Sequence, residues 1–256
     1  MFRKLRIAVL LLVLATVALG SWRAQQRATS WENTLHIAVF PINGDGSAAS
    51  EAYIRGLQPD SFADITEFIA EEAKRHGVDV LRPIDVALGP TVSVKPPPSP
   101  TQASALSAIA WSLKLRWWAW RNTPATSLKP DVRLYVLYHD PQSNARMLHS
   151  HGLQKGQIGV INAFASRAMR GSNAMVIAHE FLHTLGATDK YGADLQPNWP
   201  DGFAEPDAQP RYPQQMAELM AGRIPRSESE SDIPRSLNQV LIGPASAAEI
   251  GWLKRP

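Results

Sequence analysis

The chain has 256 residues, 45% of them hydrophobic and 19% charged, which describes a globular protein with material for one sizeable core. Its formal charge is +3, from 26 Lys and Arg against 23 Asp and Glu; the basic residues are scattered, not gathered in a stripe, so no nucleic-acid partner is indicated. There is no cysteine, which excludes disulfides, thiolate metal sites and a cysteine nucleophile and leaves His, Asp and Glu to hold any transition metal.

Arg3, Lys4 and Arg6 precede an uncharged apolar run, Ile7 to Leu19, in the charged-then-apolar order of an export signal. The run is short for a spanning helix, which needs roughly 20 apolar residues. Gly20, Ser21 and Trp22 extend it, while Ala18-Leu19-Gly20 offers a small-residue cleavage site. The expectation is a signal peptide or uncleaved signal anchor over residues 1–22, with membrane attachment through that segment if it is retained, and an extracytoplasmic body, either anchored or secreted. Residues 23–34 are polar and read as a tether.

From residue 35 the pattern is that of a single domain. "LHIAVFPI", 35–42, reads as a first strand, broken by "NGDGS". Residues 61–76 read as a helix: Asp60 or Ser61 can cap it, Phe62, Ile65, Ile69 and Ala73 fall at helical spacing, and Gly77 stops it. "VDVLRPIDVAL" is extended, with Pro83 favouring an edge strand. A second helix starts after "KPPPSP", with Ser99 as cap, Pro100 at the first position and Gln102 completing a capping box. Leu106, Ile109, Leu113, Trp117 and Trp120 mark its apolar face, which leaves Trp118 as the exposed tryptophan. "DVRLYVLYH" and "GQIGVINAF" are strands. Residues 192–213 form a long loop rich in Pro, Asp and Gly, and "GPASAAEIGWL" closes the chain with a short helix.

The chemistry is concentrated in "AHEFLHTLGATDKYG", 178–192. A helix over about 173–185, capped by Ser172 and stopped by Gly186, places His179 and His183 four residues apart on one face, where both rings can meet one metal ion. Glu180 then stands beside the metal, placed to take a proton from its water. Two histidines do not complete a catalytic zinc site. The Gly186 turn can return Asp189 as third ligand, leaving a fourth position for water. The implied reaction is attack of zinc-bound water on a carbonyl, assisted by Glu180 as base and then as acid to the leaving amine. Tyr191, two residues past Asp189, is either a donor to the oxyanion or a packing residue.

"HEFLHTLGATDKY" resembles H-E-x-x-H-x-x-G-x-x-D, the aspartate form of the metzincin signature. Together with "AELMAG", 217–222, it is most similar to the snapalysin group of small secreted neutral proteases. That resemblance, carried by residues 173–222, implies a zinc metalloendopeptidase acting on protein or peptide substrates and a zincin-like α+β fold: a twisted mixed sheet, an active-site helix and a C-terminal helix. It implies that Met220 forms a Met-turn beneath the metal, and that the strand over 157–164 is the edge that pairs with substrate. The stretch between Tyr191 and Met220 is longer than in that group, and the resemblance does not extend to the N-terminal half with its Pro-rich strap and tryptophan-rich helix.

Other features read more plainly. His149 and His151 on one strand face could bind metal, but a hairpin between two strands is favoured. The aromatic and basic "WSLKLRWWAWR" could meet a membrane or nucleic acid; packing of its apolar face is favoured. Asp194, Asp201, Glu205 and Asp207 suit calcium by ligand type but lack a calcium-loop spacing. The alternative function is a non-catalytic, zinc-stabilised binding module at the cell envelope, in which the motif serves folding alone.

Overall fold

The structure, a computed structural model, describes residues 2–100, 104–144, 150–153 and 156–254. It is a mixed α+β domain around a five-stranded, mostly parallel sheet in the order β2-β1-β3-β5-β4. β1 (Leu35–Asn43) runs parallel to β2 (Ile84–Leu88) on one side and β3 (Val132–His139) on the other. β5 (Ile158–Phe164) continues the parallel set beside β3, and the short β4 (His151–Leu153) closes it antiparallel. The segment 157–164, expected at the edge, is therefore an inner strand. Its residues from Ile158 to Ala163 are all buried, as a strand covered on both faces requires. The free edges are β2, which follows Pro83, and β4.

Side chains alternate across this sheet with period two. Leu35, Ile37 and Val39 of β1, with Leu134, Val136 and Ile161, point to one face, where helices α3 (Ala63–Arg75) and α5 (Arg170–Leu185) lie. Ala38, Phe40 and Ile42, with Tyr135 and Ile158, point to the other, where α4 (Ala105–Asn122) lies. α3 uses the expected Phe62, Ile65, Ile69 and Ala73, although no side chain caps its first turn. A helix the turn signal concealed, α2 (Ala48–Arg55), starts directly after "NGDG", with Ser47 accepting the Ser50 N–H.

α4 departs from its expected rotation. Its cap is Ser104, in a capping box with Ser107; Gln102 lies outside the described residues. The face on the sheet is Leu115, Trp118 and Ala119, and Trp118 packs edge-on against Tyr135 with ring centroids 4.8 Å apart. Trp118 is 6% exposed, whereas Trp117 and Trp120 are 61% and 75% exposed along with Leu106, Ile109 and Leu113. The helix carries apolar residues on two faces, and the bulkier stripe is the outward one.

The N-terminal residues also require a correction. α1 (Phe2–Ser30) is one continuous helix, but no helix among the described residues is long and apolar enough to cross a membrane. The expected membrane anchor is overturned. Arg3, Lys4 and Arg6 bound the apolar run on one side and the polar stretch from Arg23 bounds it on the other, which leaves it short of a span. Within 23–34, Ala28 and Trp31 are buried, the Trp31 indole N–H donates to Ile250 O at 2.8 Å, and Gln25 donates to Leu185 O at 2.9 Å. This stretch lies against the body.

After α5 the chain is mostly irregular through residue 216, then forms β6 (Ala217–Glu218), β7 (Ile224–Pro225), β8 (Ser231–Asp232), β9 (Val240–Leu241) and α6 (Pro244–Glu249). β6 pairs in parallel with β9.

Candidate metal centre

α5 begins three residues before its expected start and without a side-chain cap. Asn173 instead faces the end of β5 as another strand would: its Nδ2 donates to Phe164 O at 2.8 Å and its Oδ1 accepts the Phe164 N–H at 2.9 Å. The helix stops at Gly186, whose φ of 117° lies in the left-handed region, where a Cβ would cost roughly 1–2 kcal/mol. That reversal carries Asp189 back over the last turn of α5.

His179 Nε2 and His183 Nε2 stand 3.0 Å apart, and Asp189 Oδ1 lies 3.2 Å from the first and 3.1 Å from the second. The other ring nitrogens are committed. His179 Nδ1 faces Leu219 O at 2.9 Å and His183 Nδ1 faces Ala187 O at 2.8 Å. A carbonyl only accepts, so each Nδ1 carries its proton and donates, and both Nε2 atoms turn toward the same point, where in the neutral tautomer each offers a lone pair to a metal. A proton placed there satisfies two of the three acceptors. A divalent cation satisfies all three: bond lengths of about 2.0–2.1 Å in tetrahedral geometry need ligand atoms roughly 3.3 Å apart. The donor set is nitrogen and oxygen, as zinc accepts. Ligand atoms of His179, Glu180 and His183 also lie within 4.8 Å of one another, so Glu180 and Asp189, the latter at 3.1–3.2 Å from both Nε2 atoms, could each serve as third ligand.

The electrostatics follow from this crowding. Burial works to raise the Asp189 carboxyl, and its bonds with His179 and His183 outweigh that and hold it well below the usual range. Burial works to lower the His183 imidazole, and the bond to Asp189, the Glu180 charge and Ala187 O together raise it. Tyr191 is pushed up to about 12 by burial and by the Asp189 and Glu180 charges; it stays a protonated donor at neutral pH. Glu180 is 5% exposed. Beside it a cavity of about 290 Å³ is lined by Phe164, Met175, Val176, His179 and Leu219. Met220 is fully buried, and its carbonyl accepts the Lys190 N–H at 3.0 Å, one residue past Asp189. His179, Glu180, His183, Asp189, Tyr191 and Met220 thus belong to one neighbourhood. His149 lies outside the described residues, and no metal-type cluster forms in the 192–213 loop among those that are described.

Of three supporting groups, only Glu218 lies in a segment that the sequence singles out, "AELMAG", and its role is not legible there. Glu249, on α6, accepts from Thr188 N–H and its hydroxyl at 2.8 Å and from Lys190 Nζ at 2.7 and 2.8 Å. It grips the residues on both sides of Asp189. Glu218, fully buried, accepts from the N–H groups of Ala221 and Gly243 and from the Ser246 hydroxyl, tying the Met220 turn to α6. The carbonyls of Leu219 and Ala187 orient the rings. Backbone groups carry no residue signature, and a lone Glu about sixty positions downstream reads as a solvated side chain. No family model and no curated protein matches the chain.

Proposed function

We propose that the chain is a zinc-dependent metallopeptidase of zincin-like fold that hydrolyses peptide bonds. One observation carries the reading: two imidazole nitrogens and a carboxylate oxygen meet at 3.0–3.2 Å beside the buried Glu180. The mixed sheet with its antiparallel outer strand packed against the motif helix, and Met220 buried in the same core as that helix, support the zincin reading.

Zinc held by His179, His183 and Asp189 would supply Lewis acidity at an open position, bringing water's pKa toward neutrality and polarising a carbonyl. Glu180 accepts the proton as water attacks and returns it to the leaving amine. Tyr191, protonated and within reach of Asp189, donates to the developing oxyanion. The outer edge of β4 pairs with an extended peptide, and the apolar cavity next to Glu180 receives one of its side chains.

The test is metal content together with digestion of casein and a peptide library. Wild type should bind one zinc and cleave; Glu180→Ala should keep zinc and lose turnover; His183→Ala should lose both. A zinc-loaded wild type inert on every peptide, with Glu180→Ala equally stable, would instead favour the zinc-stabilised binding module.

A further inference from the structure

A cleft of about 810 Å³ opens at the N-terminal ends of β3 and β5, between the second half of α1 and the end of α4. Its walls carry Arg23 and Arg27 from α1, Arg116 from α4, and Lys129 and Arg133 at the start of β3. It shares no residue with the metal centre. Asp131 is the one carboxylate among the described lining residues, and it is engaged: Arg27 holds it at 2.6 and 3.2 Å and the His36 N–H donates to it at 3.0 Å. Arg23, Arg116, Lys129 and Arg133 make no ion pair among the described residues. Arg116 is half-buried over the backbone of Gly156, where an added Cβ would sit 3.3 Å from its Nε. Burial and then the Arg133 charge lower its pKa, so a positive charge stands there against both desolvation and a like neighbour.

Such an arrangement destabilises the empty protein and is offset by an anion. A single carboxylate would leave most of the charge unmatched. A diphosphate concentrates several negative charges in one small group, far closer to four free cations than a single carboxylate comes, and guanidinium forks suit phosphate oxygens. We propose that this cleft binds a ligand bearing a diphosphate, either pyrophosphate itself or a nucleoside diphosphate, through Arg116 and Arg133 with Arg23 and Lys129 at the rim.

Calorimetric titration and thermal unfolding of the full chain at low ionic strength test this, with inorganic pyrophosphate, ADP, adenosine and ionic-strength-matched chloride. Pyrophosphate and ADP should raise the melting temperature by roughly 5–10 °C at a hundredfold excess over Kd, and adenosine and chloride should not. Tighter ADP binding than pyrophosphate binding would assign the remaining volume to a nucleoside; equal binding would assign the site to the diphosphate alone. Arg116→Gln should melt no lower than wild type in chloride, because it removes a like charge, yet lose at least about tenfold in pyrophosphate affinity. Lys129→Gln, on the exposed rim, should lose less. Chelation at the metal centre acts on all these proteins alike and cancels in the comparison. A wild type unresponsive to both pyrophosphate and ADP, or an Arg116→Gln protein that binds as tightly as wild type, overturns the proposal.

Discussion

On one face of the sheet, α5 and α3 share a continuous core with the C-terminal segment, and several polar groups entering it make directional bonds: Glu72 accepts the Ile242 N–H, Glu218 holds the Met220 turn, and Asn173 holds Phe164. On the other face, α4 rests on Phe40, Tyr135 and Ile158 through Leu115, Trp118 and Ala119 and turns a second apolar stripe outward. Directional bonds fix the rotation of α5 about its own axis. α4 is held mainly by packing, with one bond from Trp111 Nε1 to Pro97 O at 3.1 Å and one between Thr123, at its C-terminal end, and the Tyr135 hydroxyl, so packing carries most of the choice between its two apolar faces.

The sharpest way to break this contrast is at the motif face. Glu180→Gln keeps the volume of the side chain and should leave zinc content unchanged while lowering kcat by roughly 10²–10⁴, measured on any peptide that wild type cleaves. A loss of metal in parallel would mean that Glu180 is a ligand and that Asp189 is not.

The next effect belongs to the α4 face. Trp118→Ala should cost about 3–5 kcal/mol in urea unfolding. Trp117→Ala, one residue away and mostly exposed, should stay within about 0.5 kcal/mol. The reverse order would restore the rotation expected from sequence and exchange the buried and solvent faces of the helix.

The two regions also differ in how much of them could be read beforehand. His179, Glu180, His183 and Gly186 are legible because each residue type is needed for its chemistry or its φ at a fixed helical offset. Strand segments were legible from β-branched runs. The position of 157–164 inside the sheet was not, because β4 is three residues long and gives no periodicity. α2 was hidden by the turn residues that serve as its own cap. On α4, Leu106, Ile109, Leu113, Trp117 and Trp120 satisfy helical spacing as well as Trp111, Leu115 and Trp118 do. Spacing shows that an apolar face exists, and it does not say what lies opposite.

Glu249 supplies a third, smaller effect that probes the support of the motif and leaves its ligands intact. Glu249→Gln keeps the side chain but weakens its hold on Thr188 and Lys190, and so frees the turn that presents Asp189. Zinc affinity should fall about 10–100-fold, read by competition with a chromogenic chelator. At saturating zinc, kcat should stay near wild type, because no reacting atom is touched. An unchanged affinity would show that Gly186 and the Leu219 and Ala187 carbonyls suffice to place the ligands.

The smallest effect is the pH dependence of that same grip. Burial works to raise the Glu249 carboxyl, and the bonds from Lys190 and Thr188 outweigh it, so its folded pKa lies below the ordinary value. A carboxylate with a depressed folded pKa stabilises fully above its unfolded pKa of about 4.3 and loses that contribution as pH falls through the folded value. On metal-free protein, wild type should exceed Glu249→Gln in urea midpoint at pH 7, and the gap should narrow steadily below about pH 4.3. Acidification also weakens Asp189 against the histidines, but that loss is common to both proteins and drops out of their difference. A gap that stays constant to pH 3 would mean that Glu249 acts by shape and neutral hydrogen bonding, and that the charge of Lys190 contributes nothing to holding Asp189 over the helix.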